Sequence, residues 1–445
     1  MTTTASQAPA TVTHRSVLAI AVPIMASNFS EPLIGIVDTA ILGQLGDAFY
    51  IGAIAVGGVL FSFLFWTFGF LRMGTSGLTA QAAGAGDDVE LRSILGRALL
   101  IAGACSAGMV IASPLIAPVA FWLIEGSAEV EAHARTYFDI RIWSAPFALA
   151  NYVFLGWFIG LGRAHIAFVL QLILNLSNAG LDAFFVLVLD MGVEGVAIGT
   201  VIAQIIAAAA GSLLIMRELS CRSGDWSWAS ITSAVALKRT IAVNRDIMIR
   251  TICLIFAFSW FTAKGAEAGD IVLAANAVLF NILMLITYTL DGFAFAAETL
   301  SGQAAGARVS ARFRRAVWLS SLWALAMSVA MSVLIWGAGG WAIDLLTVNE
   351  EVRATARLYL IWIILTPVLA IACFQFDGIY IGVTRTVDMR NMMIISTTVY
   401  LAAWWALSGL YGNHGLWAAL MVFFVIRGLT LGWRYPALIR ATFPS

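Results

Sequence analysis

The segment Leu78-Thr-Ala-Gln-Ala-Ala-Gly84 returns half a chain length later as Leu300-Ser-Gly-Gln-Ala-Ala-Gly306. The same offset carries Gly156-Trp-Phe-Ile-Gly160 with Arg163 onto Gly378-Ile-Tyr-Ile-Gly382 with Arg385, and a slightly shorter one carries Gly192 and Gly195 onto Gly412 and Gly415. A repeat this long means one folding unit written twice, so the fold has to be built from two related halves. The repeat also fails in an informative way. In its register Asp38 falls on Trp260 and Asp182 on Trp404, so two carboxylates in apolar surroundings belong to one half only.

With 61% apolar and 11% charged residues and a mean hydropathy of +0.91, the chain cannot hide its apolar surface inside a water-soluble fold. It is predicted to live in a bilayer. A helical span needs about 20 mostly apolar residues, and about twelve such runs occur, near 17–42, 50–72, 95–123, 136–160, 167–189, 195–216, 246–264, 271–297, 316–344, 357–382, 392–411 and 415–437. Short alternating strands are missing, which excludes a membrane β-barrel. The expected fold is therefore an all-α integral membrane protein with twelve transmembrane helices in two pseudo-symmetric six-helix lobes. The expected division is a cytosolic tail (1–15), an N-lobe (16–218), an inter-lobe linker (219–240) and a C-lobe (241–440).

Charge sets the orientation. Arg92, Arg97, Arg163, Arg217, Arg222, Lys238, Arg239, Arg245, Arg308, Arg312, Arg314, Arg315, Arg385 and Arg390 fall in the even-to-odd connections, while Glu125, Glu129, Glu131, Asp190, Glu194, Glu350 and Glu351 fall in the others. The positive-inside rule then predicts both termini in the cytoplasm and a multi-pass protein of the inner (plasma) membrane. Six spans is an even number, so the halves are parallel repeats about an axis along the membrane normal, with the ligand cleft between them.

Several classes drop out. A net charge of zero gives no handle for nucleic acid. Cys105, Cys221, Cys253 and Cys373 have no metal spacing and are expected to be small apolar fillers; His14, His133, His165 and His414 fall in loops or at span ends, so no cofactor is expected. The polar stretch before Val17 has no apolar core and is not a cleaved signal peptide.

An ionisable residue inside a span is costly, and so marks function by default. Span 1 runs outward and places Asp38 in its outer half. Span 5 also runs outward and puts Asn178 and Asp182 on one helical face at that level. Thr200 of span 6 and Tyr137 of span 4 arrive at the same depth. Two carboxylates in a low-dielectric site do not both ionise cheaply, so the set can carry a proton; the same oxygens can ligate Na⁺. The alternative is a static polar network. Glu31, one heptad before Asp38, is an outer relay or a cleft-lining group.

The C-lobe has charges at the other depth: Arg250, Asp291, Glu298 and Asp377. These form either a cytoplasmic gate and substrate site or an ion-pair cluster that holds the lobe together. Arg141 and Arg427 are assigned to snorkelling or structural pairing. Pro23 and Pro32 interrupt span 1, Pro146 span 4 and Pro367 span 10; a bend in span 1 linked to protonation of Asp38 is one reading, a static kink the other. Trp260, Trp404, Phe154 and Phe184 are candidates to stack on a flat cation.

Pro32-Leu-Ile-Gly-Ile-Val-Asp-Thr-Ala-Ile-Leu-Gly-Gln-Leu-Gly46, Gln81-Ala-Ala-Gly84, Asn178-x-x-x-Asp182 and Asp377-Gly-x-x-x-Gly382 resemble the multidrug and toxic compound extrusion (MATE) family over essentially the whole chain, with its DNA-damage-inducible protein F (DinF)-like branch fitting best. The resemblance implies twelve helices in two lobes and export of organic cations in exchange for H⁺ or Na⁺. It carries the N-lobe cation site onto Asp38, Asn178, Asp182 and Thr200, with Tyr137 nearby, and a proton-linked bend onto Pro23. One departure favours H⁺: the Na⁺-coupled branch has a span 7 carboxylate, where this chain has Arg250.

The leading expectation is a secondary multidrug antiporter rather than an enzyme, acting as a monomer in membrane lipid on small organic cations. No phosphate-binding loop is present to power it otherwise. A Na⁺-coupled version and a lipid-linked precursor flippase are alternatives within transport, though a flippase cleft should be basic. A channel is disfavoured because the acids sit inside one lobe.

Overall fold

The computed structural model describes residues 11–42, 48–123 and 128–444, without the side chains of 31–42, 48–51, 120, 122, 123 and 128. Every regular element among these residues is helical. The N-terminal half runs through α1 (His14–Leu42), α2 (Ala48–Thr67), α3 (Phe70–Ala85), α4 (Asp88–Leu123), α5 (Ala128–Arg141), a 3-10 turn (Ile142–Ser144), α6 (Ala145–Gly160), α7 (Ala164–Ala183), a π-helical turn (Phe184–Val188) and α8 (Gly192–Ser220). The short α9 (Trp228–Ile231) leads to α10 (Ala234–Glu267), α11 (Asp270–Gly306), α12 (Ser310–Leu346), α13 (Glu350–Gly382), α14 (Thr386–Tyr411) and α15 (Asn413–Thr442). Ten helical segments among the described residues are long and apolar enough to cross a bilayer. With α1 of 29 residues and α10 of 34, that makes twelve long helical segments among the described residues, six to each half.

The two halves pack alike. In the first, α3 packs on α6, α1 on α7 and α7 on α8; in the second, α11 packs on α13, α10 on α14 and α14 on α15, which are the same pairs under the repeat. Two spans of the first half are broken. Gly69 separates α2 from α3, and the 3-10 turn before Pro146 separates α5 from α6, whereas Pro367 lies inside an unbroken α13. Nor does Pro23 end a helix, because α1 runs through it.

The repeated Gly-x-x-x-Gly motif is explained by helix contact. A Cβ on Gly156 or Gly160 would lie 2.3 or 2.4 Å from the carbonyls of Arg72 and Ser76, and a Cβ on Gly378 or Gly382 would lie 2.2 Å from those of Ala294 and Glu298. In lipid, where no hydrophobic drive separates helix from solvent, close backbone approach supplies the packing energy.

The lobes meet along α3 and α11, with α1 against α11 and α10 against α3. This seam lies at the arginine-rich end. Gln81 Nε2 donates to Gly382 O at 3.1 Å and to Thr384 Oγ1 at 3.0 Å, and its repeat mate Gln303 donates to Gly160 O at 3.1 Å. Thr299 Oγ1 adds a bond to Ile159 O at 3.0 Å. The second copy of Leu-x-x-Gln-Ala-Ala-Gly is thus the partner surface of the first.

The segment joining the lobes is shorter than its polarity suggests, since Lys238, Arg239 and Arg245 already belong to α10. Arg92 pins it by donating to the carbonyls of Leu219, Arg222 and Ser223, while Arg97 holds Ser230 O at 2.9 Å and pairs with Glu90. The N-terminal tail is tied down from Val12, whose carbonyl accepts from Arg315 Nε at 2.7 Å. Cys221 is exposed, so it fills no core; Cys373 is buried and Cys105 and Cys253 are half-buried.

Candidate functional site

Helix α7 places Asn178 and Asp182 one turn apart on a face covered by α8. Asn178 Nδ2 donates to Asp182 Oδ2 at 2.9 Å and to Thr200 Oγ1 at 3.3 Å, and Thr200 Oγ1 donates to Val196 O at 2.9 Å. Asp182 is fully buried. The carboxylate reaches this depth because residue 199 is glycine: a Cβ there would lie 2.2 Å from Asp182 Oδ1. Immediately after Asp182 the helix widens into its π turn over Phe184–Val188, a distortion often found at functional sites and with no counterpart in the sequence reading.

Gly199→Ala is expected to cost about 1–3 kcal/mol of packing and to displace the carboxylate. Gly211→Ala is the control, because its Cβ would meet the Phe154 ring at 2.6 Å, away from the polar set. Both should lower the apparent melting temperature, but only Gly199→Ala should lower ion-driven efflux further than the loss of folded protein accounts for.

The remaining N-lobe residues divide. Tyr137 is buried, and its hydroxyl accepts from Arg141, whose guanidinium lies 4.7 Å from the Phe61 ring centroid. Glu31, Pro32 and Asp38 lie on α1, but their side chains fall outside the described residues. Pro23 precedes them on the same helix.

At the repeat-equivalent positions of the C-lobe stand Trp260 and Trp404, edge to face with centroids 5.0 Å apart. Lys264 Nζ sits 5.0 and 5.1 Å above them, a cation on two ring faces. These rings are engaged with each other. Of the other two aromatics, Phe154 is buried and Phe184 is exposed.

The C-lobe charges form a buried triad. Asp377 Oδ2 accepts from Arg250 Nη2 and, at 2.6 Å, from Arg427 Nη2. Arg427, assigned from the sequence to snorkelling or structural pairing, pairs here, and all three groups are buried. Asp291 and Glu298, two turns apart on α11, join no ion pair among the described residues.

Two six-helix lobes closing on one end, with a buried carboxylate, amide and hydroxyl set in one and a buried arginine and aspartate triad in the other, define a membrane transporter rather than an enzyme. The MatE family model matches residues 23–184 and 247–403, and the chain belongs to the multidrug and toxic compound extrusion family, whose members are efflux transporters. It is 39% identical over 421 residues to DNA damage-inducible protein F of Escherichia coli K12, covering 93% of this chain and 91% of that protein. It is also 24% identical to the probable multidrug resistance protein NorM of Caulobacter vibrioides, over 94% and 91% of the two chains. Among solved structures, a MATE in the bent conformation superposes with a TM-score of 0.88 at 18% identity over 96% of both chains. A multidrug resistance MATE transporter in an outward-facing conformation gives 0.87 at 16% identity over 97% of both.

Proposed function

We propose that the protein is a proton-driven antiporter that expels small, flat organic cations, with Asp38 and Asp182 as the coupling carboxylates and Asn178 and Thr200 as their polar partners. The observation that carries this is the asymmetry between the lobes. The acids of α1 and α7 occupy positions that in the other lobe hold Trp260 and Trp404 in contact, and that contact supports Asp38 as the partner of Asp182. A proton entering from the far side neutralises the pair and favours release of the cargo; its loss on the arginine-rich side readies the cleft for the next cation. On this reading the arginine-rich end faces the cytoplasm, both termini lie there, and the chain works as a monomer in the inner membrane.

Sodium coupling at the same oxygens is the second reading, since carboxylate, amide and hydroxyl oxygens all suit a hard cation. Efflux of an ethidium-like dye from everted vesicles, driven in turn by ΔpH and by ΔNa⁺, separates the two. Wild-type protein is expected to respond to ΔpH and Asp38→Asn to lose that response. Proton-driven efflux that survives Asp38→Asn would sink the mechanism.

A further inference from the structure

Glu298 lies in the seam between the lobes, 2% exposed, and its Oε1 has no hydrogen-bond partner. Its repeat mate on α3 is Ser76, and the two stand beside each other across the pseudo-two-fold axis. The Ser76 hydroxyl, also buried, closes no hydrogen bond of regular geometry with it. The charged groups that face the carboxyl are Arg72 of α3 and Asp291 of its own helix. Arg72 forms no ion pair among the described residues, its guanidinium lying 4.8 Å from the Phe295 ring centroid. Beyond Asp291 lie Arg250 of α10, Asp377 of α13 and Arg427 of α15, already joined to one another. Helix α6 brings no acid or base. Beside the residue the seam is tight, since a Cβ on Gly302 of α11 would stand 2.7 Å from Ala80 Cβ of α3.

An ionised carboxylate closed into such a place, with no hydrogen bond of regular geometry on Oε1, is far more costly than a neutral one. We infer that Glu298 is a second proton site, distinct from the N-lobe pair: it is protonated when the arginine-rich ends of the lobes are shut and gives its proton to water on that side when they part. Closing the seam therefore takes up one proton from that side and opening returns it. No proton crosses the membrane by this route. What it does is set the balance between the two access states by the pH of one compartment, so that acid favours the shut seam and alkali the open one. With one proton linked, the ratio of shut to open changes by at most about tenfold per pH unit.

The inference rests on the alternating-access reading, though not on which ion drives it. Spin labels at Val89→Cys and Ala311→Cys, repeat-equivalent exposed positions in the first turns of α4 and α12, report the seam in full-length protein whose Cys105, Cys221, Cys253 and Cys373 are alanine. Distances measured by electron double resonance across mildly acidic to mildly alkaline pH are expected to shift from short to long in otherwise wild-type protein. Glu298→Gln and Glu298→Met, both uncharged and of similar volume, should stay short throughout. Asp182→Asn should lose gradient-driven efflux yet keep the seam's pH response. A response that persists in Glu298→Gln, that vanishes in Asp182→Asn, or that is missing from the wild type overturns the inference. Absent efflux in the wild type would instead overturn the antiporter reading, whatever the distances do.

Discussion

Asp377→Ala is expected to destabilise the protein by about 3–5 kcal/mol, because it strands two guanidinium groups inside the C-lobe. Arg250 is 7% exposed and Arg427 2% exposed, and both donate to the one oxygen that the substitution removes. Arg427 keeps the face of Phe423, 5.2 Å away, which does not replace a carboxylate. The measurement is thermal unfolding in detergent, where the apparent melting temperature should fall by roughly 5–10 °C. A companion variant tests the cause. Replacing all three groups together by leucine removes the charges with their partner, and buried ionic clusters exchanged for apolar side chains are often neutral or stabilising. The triple variant should therefore melt well above Asp377→Ala. If the single substitution is silent, the triad is hydrated and does not hold the lobe.

Gly84→Ala and Gly306→Ala should each open the arginine-rich end. Their Cβ atoms would stand 1.9 Å from Gln303 O and Gln81 O, distances at which backbone has to move, and the obstacle is a carbonyl and not the end of a flexible side chain. Overpacking of this kind costs about 1–3 kcal/mol, which shifts a two-state seam by about fivefold to a hundredfold or more towards the open form. The two variants should behave alike, since each glycine faces the backbone of the other's helix across the pseudo-axis. Distances between the labelled α4 and α12 ends read the shift directly. Ordinary closure in both variants would mean that the helices do not approach as closely as this.

How far the chain was legible depended on which contacts leave a periodic trace. Apolar runs marked the spans because a bilayer demands them along every helix, so their number and pairing followed from length and repeat. Their ends did not. Span 2 reads to about residue 72, yet the helix continues as α3 to Ala85 through Arg72, Thr75, Ser76, Thr79 and Gln81; span 8 likewise continues past Glu298 to Gly306. Polar residues end a hydropathy run, but here they are sheltered by the opposite lobe. The Asn178 to Asp182 spacing was legible since it is local to one helix, and Thr200 followed from depth. For Tyr137 depth says nothing of the side from which Arg141 reaches its hydroxyl. Arg250 was a visible candidate for Asp377, but Arg427 was not singled out for it, because three helices far apart in sequence have to converge before that choice exists.

By itself, the sequence determined that the chain is helical, membrane-spanning and double, and that its repeat fails at two carboxylates of the first half, since each of these properties is a matter of composition, period or register. Only the tertiary structure decided that the repeated motifs face each other across a shut seam, that Asp377 is shared by two arginines, and that Glu298 is enclosed. A repeat tells which positions are equivalent. Which of them touch depends on how two rigid lobes are placed about their axis, and that is settled by close packing of backbones whose partners lie half a chain apart.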